Sequence, residues 1–235
     1  MPKKTIILFS GGKDSFYSLI EICEVESIEY IVIIKSPTGD TQLHAGPEVD
    51  EKLREAQIKL LELPYKEIII GSDKKYLREL FLQLNNLVQQ DSITHLVTGD
   101  LWHPYTSGIG EMLAGALGVE LIRPTREICQ TKNDGIKCLT KILSKGITPL
   151  IISVRQGDLP ENFVGREINE QFINELISKN TDIMAEGGEY QSFVVSAPNM
   201  KGKIVIDDFD IRLVVGKNGK EKFYRMFVNK FHVEK

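Results

Sequence analysis

Cysteine is scarce in this chain: Cys23, Cys129 and Cys138 are the only three in 235 residues. The number is odd and no two stand at CxxC spacing, which argues against a disulfide framework and a zinc knuckle. Cys129 and Cys138 are expected to be reduced, small buried hydrophobes. Long apolar runs are also missing. The first, residues 5–9, is broken at once by Ser10-Gly11-Gly12, so it is too short for a secretory leader, and no stretch approaches a membrane span. A soluble cytoplasmic protein is the expectation. Nor is basic charge massed. The 29 Lys and Arg face 33 Asp and Glu, a net charge of -4, and they are spread along the chain. Direct nucleic-acid binding over a broad surface is therefore not expected. Two common nucleotide motifs are absent. There is no GxxxxGK[ST], and Gly108 and Gly110 lack both a third glycine and a preceding strand. No internal repeat or low-complexity tract is present.

What is present is alternation. Residues 5–9, 30–34, 68–70 and 95–98 are apolar runs suited to strands buried on both faces. Between them, Phe16, Leu19, Ile20 and Cys23, then Val49, Leu53, Ala56 and Leu60, then Leu77, Leu80, Phe81, Leu84 and Val88 recur at helical spacing. This order predicts a parallel sheet with helices on both faces. The pattern continues with a helix at 112–117, a strand at 120–122, a helix at 136–143 and an apolar strand at 150–154. From about Gln156 the character changes. A helix is predicted over 167–177, then strands at 192–196, 204–215 and 223–231, the last two joined through Asn218-Gly219, a strong hairpin signal. The fold class is α/β: a doubly wound parallel sheet with a smaller C-terminal α+β part ending in an antiparallel hairpin.

The chemistry concentrates at Ser10-Gly11-Gly12-Lys13-Asp14-Ser15, between the first strand and the first helix. Two glycines permit a tight turn with positive φ and let a ligand reach the main chain. The helix start offers unpaired N–H groups and the positive end of its dipole, which suits phosphate. Ser10 and Ser15 add hydroxyls and Lys13 a charge. Asp14 would repel phosphate, and makes sense as a ligand for Mg²⁺ or as a helix cap. Further along, Glu186-Gly187-Gly188-Glu189-Tyr190 places two carboxylates around a Gly pair. They could hold Mg²⁺, orient ammonium or take its proton, or simply flank a solvated turn. Asp100 follows a parallel strand, where open α/β sheets bind ligands. His44 lies in a long loop, and Trp102, His103 and Tyr105 in another. Asp207, Asp208 and Asp210 read as a solvated face rather than a metal site.

The SGGxDS loop after a first strand resembles that of the PP-loop family, the N-type ATP pyrophosphatases. Residues 182–193 with Ala197-Pro198, residues 150–154 with Gly165-Arg166-Glu167-Ile168, His44-Ala45-Gly46 and Gly99-Asp100-Leu101 resemble motifs of its diphthine–ammonia ligase members. The likeness covers roughly residues 4–210. It implies ATP cleaved to AMP and pyrophosphate, with Mg²⁺, and amidation of a carboxylate by ammonium. The substrate would be diphthine on translation elongation factor 2. Residues 1–125 would bind ATP and residues 126–235 would serve substrate and amidation. Implied ATP contacts are Ser10, Gly11, Gly12, Lys13, Asp14, Ser15, Ile34, Lys35, Gly99 and Asp100, with adenine near the second strand. Asp14, Glu186 and Glu189 would be catalytic, Asp14 being the metal ligand. His44, Trp102, Gly187, Gly188 and Tyr190 are candidate substrate contacts. After Gly99-Asp100 family members typically carry a polar Ser-Asp-Tyr-type run, whereas this chain has residues 101–108, Leu-Trp-His-Pro-Tyr-Thr-Ser-Gly. Sulfur-transferring members need positioned cysteines that this chain lacks. Two other readings stay open: a PP-loop ligase for a small metabolite, and a nucleotide-binding regulator without turnover. The apolar C-terminal hairpin leaves a homodimer possible.

Overall fold

The computed structural model describes residues 3–35, 51–71, 75–101, 109–216 and 220–235. His44, Val49, Trp102, His103 and Tyr105 lie outside them, as does the Asn218-Gly219 turn. The first half is β1 (Thr5–Leu8), α1 (Lys13–Val25), β2 (Tyr30–Lys35), α2 (Glu51–Leu61), β3 (Tyr65–Ile69), α3 (Tyr76–Asp91), β4 (His95–Val97), α4 (Ile109–Leu117) and β5 (Glu120–Ile122). The strands form one parallel sheet in the order β3-β2-β1-β4-β5. Alternate residues serve opposite faces, as the period of two requires. Ile7, Ile31, Ile33 and Val97 pack with α1 and α2, while Ile6, Val32, Ile34 and Leu96 pack with α3 and α4. The first two crossovers therefore cover one face and the next two the other. The chain reverses direction across the sheet between β1 and β4, and a crevice opens at such a switch point.

Helix α1 departs from the one-stripe pattern. Besides Phe16, Leu19 and Ile20 it buries Lys13, Ser15, Tyr17 and Ser18, because it lies between the parallel sheet and a second sheet. Its last turn emerges into solvent, so Cys23 is exposed rather than on the core face and Val25 is open. Cys129 and Cys138 are buried. Leu77 is likewise on the outside of α3, where Leu80, Leu84 and Val88 carry the packing.

The second half contains α5 (Pro124–Ile128), α6 (Gly135–Ser144), β6 (Thr148–Arg155), α7 (Glu170–Ser178), β7 (Tyr190–Ser196), β8 (Lys203–Val215) and β9 (Lys222–Glu234). The apolar run at 150–154 does not extend the parallel sheet. It lies in an antiparallel sheet of order β7-β6-β9-β8. It reads like a parallel strand because Ile151, Ile152 and Val154 share one core with α6 and α7. The helix expected from residue 167 starts at 170. Ile168 instead donates its N–H to Pro149 and Glu167 bridges to Leu150, and the Asn169 side chain caps α7 by accepting from Phe172 N at 3.0 Å. Both sheets share a core in which Phe9 and Phe16 meet Phe193 and Val194.

Candidate active site

The phosphate-type loop begins where β1 stops. Gly11 has φ +81°, a conformation that side chains resist. Gly12 has an ordinary φ of -85° and is the N-cap of α1. Its lack of a side chain serves a different purpose: a Cβ there would sit 3.1 Å from the Ser192 carbonyl oxygen of β7. The Ser10 hydroxyl accepts the Gly12 N–H at 3.3 Å and meets Ser15 Oγ at 3.0 Å, and Ser15 Oγ is also 3.0 Å from the Gly12 carbonyl. Gly99, just past β4, touches the loop from below. A Cβ on it would lie 2.8 Å from Ser15 N and 2.9 Å from the Asp14 carbonyl carbon. The start of α1 is thus wedged between the end of β4 and strand β7.

Strand β7 is stitched to the loop. Val194 N donates to Gly11 O at 2.9 Å, and Lys13 N donates to Ser192 Oγ at 3.2 Å. Gln57, fully buried on α2, donates its amide N–H groups to Gly11 O at 3.1 Å and Val194 O at 2.6 Å. Lys13 completes the joint. Its side chain is 4% exposed, and its ammonium bonds Asp14 Oδ2 and the Met184 carbonyl, each at 2.9 Å, beside the Tyr190 ring. Burial alone would lower the Lys13 pKa, but Asp14, Tyr190 and Glu186 outweigh it and the ammonium is held charged. Lys13 therefore faces the second sheet and ties residue 14 to residue 184.

That tie brings Glu186 beside the loop. Its carboxyl is pushed up to about 8, first by burial, then by the Asp14 charge, with Lys13 pulling it down and Asp182 and Cys129 adding to the rise. The turn that holds it uses Ala185 at φ +60° and Gly188 at φ +83°, with Gly188 N donating to Ala185 O at 2.9 Å. Glu189 folds back over Gly187, where a Cβ would collide with its carboxylate. Burial raises the Glu189 carboxyl, opposed by its own main-chain N–H and by Arg155. Neither glutamate sits on a solvated turn. Tyr190 is buried; its hydroxyl donates to Ile183 O at 2.6 Å and its ring stacks edge-on with Phe172. The structure places it under the site, as a support rather than on its surface.

The remaining candidates spread along the same rim. Asp100 accepts from the Thr98 hydroxyl and faces the Arg123 guanidinium at 3.4 Å. The Ile34 side chain is in the core. Val32 O accepts from Phe9 N, so Ile34, two residues on, turns its main-chain groups the same way, past Leu8 where β1 pairing ends. Lys35 is held by Glu51 at 2.6 Å and Glu67 at 3.1 Å. Asp207, Asp208 and Asp210 are far along the hairpin and partnered by His232, Asn229 and Arg212.

Two family models match the chain. The diphthamide synthase N-terminal domain matches residues 3–121 and the diphthamide synthase C-terminal domain residues 134–228. The chain belongs to the diphthamide synthase family. It is similar to the diphthine–ammonia ligase of Mus musculus, 24% identical over 224 residues covering 85% of this chain and 81% of that one. The diphthine–ammonia ligase of Danio rerio is 23% identical over 228 residues, covering 87% and 86%. A crystal structure described as a predicted subunit of tRNA methyltransferase from Methanocaldococcus jannaschii shares 15% identity at a TM-score of 0.42, covering 84% of this chain and 98% of that one.

The residues of this chain that join the two motifs escape a reading of motifs alone. Gln57 gives the clearest missed signal: it stands four residues after Leu53, a polar side chain on the apolar face of α2. Ser192 sits inside the Glu-Gly-Gly-Glu segment's continuation but carries no distinguishing chemistry until β7 meets the loop. Arg155 ends β6 and reaches Gly187 O at 2.7 Å, Asp158 and Glu221. Nothing in its neighbours in sequence announces that. The donor set for magnesium is small. Asp14 Oδ1 is buried and has no hydrogen-bond partner among the described residues, while Oδ2 is taken by Lys13. No group of three or more His, Cys, Asp or Glu suited to a metal occurs among the described residues. One carboxylate fits magnesium when phosphate oxygens and water complete the shell.

Proposed function

We propose that this chain, an ATP-dependent ligase of diphthamide synthesis, adenylates the carboxylate of diphthine on elongation factor 2 and amidates it with ammonium. The observation that carries this reading is the Lys13 ammonium, which bonds both Asp14 and Met184 and so makes one site of two motifs about 170 residues apart. Residues 1–125 hold the nucleotide and residues 126–235 serve amidation. ATP lies with its phosphates over Ser10–Ser15 and the start of α1, where orphan N–H groups and the helix dipole favour anions. The adenine lies toward the main chain of Ile34 and Lys35. Asp14 Oδ1 would hold Mg²⁺, which when bound would neutralise phosphate charge.

The substrate carboxylate attacks the α-phosphate, and pyrophosphate leaves. Ammonia then displaces AMP from the acyl-adenylate. Ammonium must first give up a proton to become ammonia, and the Glu186 carboxylate is tuned to accept it. A carboxylate at its usual value is too weak a base, whereas one raised to about 8 accepts the proton with a far smaller penalty. Glu189 and the glycines 187 and 188 shape the turn, and Tyr190 supports it. Asp100 reaches the chemistry through Arg123. Among the described residues no helix is long and apolar enough to cross a membrane; the reading places the enzyme in the cytoplasm with its protein substrate, as monomer or homodimer. The test is AMP release from ATP and Mg²⁺. It should require both ammonium and the diphthine-bearing factor. ATP turnover indifferent to both, or nucleotide binding without any pyrophosphate release, would sink the reading.

A further inference from the structure

The crevice has two sides. Adenine on β2 uses the β2 side of the switch point, which leaves the side over β4 and β5 for the group that attacks ATP. An open cleft of about 420 Å³ lies there, lined by Arg123, Arg126, Glu127 and Gln130. Arg123 immediately follows β5, and Arg126 and Glu127 lie on α5.

Both guanidiniums are aimed before any ligand arrives. Arg123 is gripped by Asp100 and Glu111. Arg126 donates to the Leu101 carbonyl at 3.2 Å and lies 3.9 Å from Glu111. Fixed arginine forks recognise carboxylates, because little side-chain freedom remains to be lost on binding. Glu127 adds the opposite charge to the same wall. The wall of the cleft is also packed against the helix that follows the phosphate-type loop. Helix α5 packs on α1, which carries Lys13 and Asp14, and is capped by the buried Cys129.

We propose that this cleft is the binding site for the acyl substrate: a protein side chain carrying a carboxylate next to a cation, the carboxylate read by Arg126 and Arg123 and the cation by Glu127. Arg126 is the principal contact, since Arg123 is already engaged by two carboxylates. The site rests on the ligase reading for the identity of its ligand. It goes beyond that reading in naming the residues that select it, none of them in the phosphate loop or the Glu-Gly-Gly-Glu turn. It also explains how Asp100 acts on substrate rather than on nucleotide, by holding Arg123.

The test uses the full chain and diphthine-bearing elongation factor 2. Binding is measured directly, and AMP formation separately. Arg126→Gln should weaken binding of the factor and raise its KM about tenfold or more, the loss expected for one charge-assisted contact. Affinity for ATP with Mg²⁺ and the KM for ammonium should stay within about twofold of wild type. Arg126→Lys should recover part of the loss. Gln130→Glu adds a negative charge from an exposed position and should weaken the factor in the same way. Unchanged factor binding in both Arg126→Gln and Gln130→Glu would overturn the cleft while leaving AMP formation, and the ligase reading, intact. Binding that depends on Arg126 without any AMP formation would uphold the cleft and remove the ligase reading. A wild-type chain that does not bind the factor would remove the cleft.

Discussion

Replacing Glu186 with Gln in the nucleotide-free protein should stabilise it, and by an amount that depends on pH. The Glu186 carboxyl stands at about 8 instead of 4.5 because it is buried and faces Asp14. A carboxyl raised in the fold binds its proton more tightly than the unfolded chain does. Between about pH 4.5 and about 8 the native state therefore holds more protons, and stability falls as pH rises. Below that window both states are protonated and the group costs nothing. Above it the full cost is present. At about 1.36 kcal/mol per pH unit the displacement has a ceiling of about 5 kcal/mol. The side chain keeps some contact with water, which brings the expected cost to about 2 kcal/mol. Gln cannot ionise and escapes it. Urea denaturation of wild type and variant, extrapolated linearly to water, measures the difference at each pH. The variant's advantage should grow by about 2 kcal/mol from about pH 5 to about pH 9, against whatever constant offset the amide introduces. An advantage that does not change with pH would refute the placement of Glu186 as a desolvated carboxyl beside Asp14. The same variant should lose AMP formation, having no proton acceptor for ammonium.

Other substitutions probe the joint around the loop. Asp14→Asn should abolish AMP production and weaken magnesium-dependent ATP binding, and unchanged turnover would remove its metal role. Gly99→Ala pushes a methyl against Ser15 N and the Asp14 backbone; it should cost about 1–3 kcal/mol in a thermal or urea melt and misplace the start of α1, raising the KM for ATP. Gln57→Leu strands the Val194 carbonyl without its amide donor and should cost about 1–3 kcal/mol by the same melt. Arg155→Met releases the Gly187 carbonyl from its guanidinium, so it should raise the KM for ammonium more than the KM for ATP in steady-state assays.

The parallel sheet could be read from the sequence because its strands are short apolar runs separated by helical stripes, and β5 begins and ends where its pattern says. The loop from Ser10 to Ser15 was readable because strand, Gly pair and helix come in one continuous stretch. What escaped is what distant parts of the chain do to one another. Residues 150–154 look like a parallel strand because burial on both faces erases the alternation that marks an antiparallel one. Cys23 obeys the helical period of α1 but lies on its exposed last turn. Gly12 looks like a ligand contact, yet its missing side chain makes room for the Ser192 carbonyl. Lys13 looks like a phosphate ligand, yet its ammonium is turned to Met184. In each case local pattern is correct and the partner that decides the role lies elsewhere in the chain.

The most direct test of the account labels the diphthine carboxylate of elongation factor 2 with heavy oxygen and follows the label by mass spectrometry. If the carboxylate attacks the α-phosphate at the joined site, one heavy oxygen leaves with AMP and the factor emerges amidated. Heavy oxygen in inorganic phosphate with ADP as the nucleotide product, or AMP that carries no label, would contradict it.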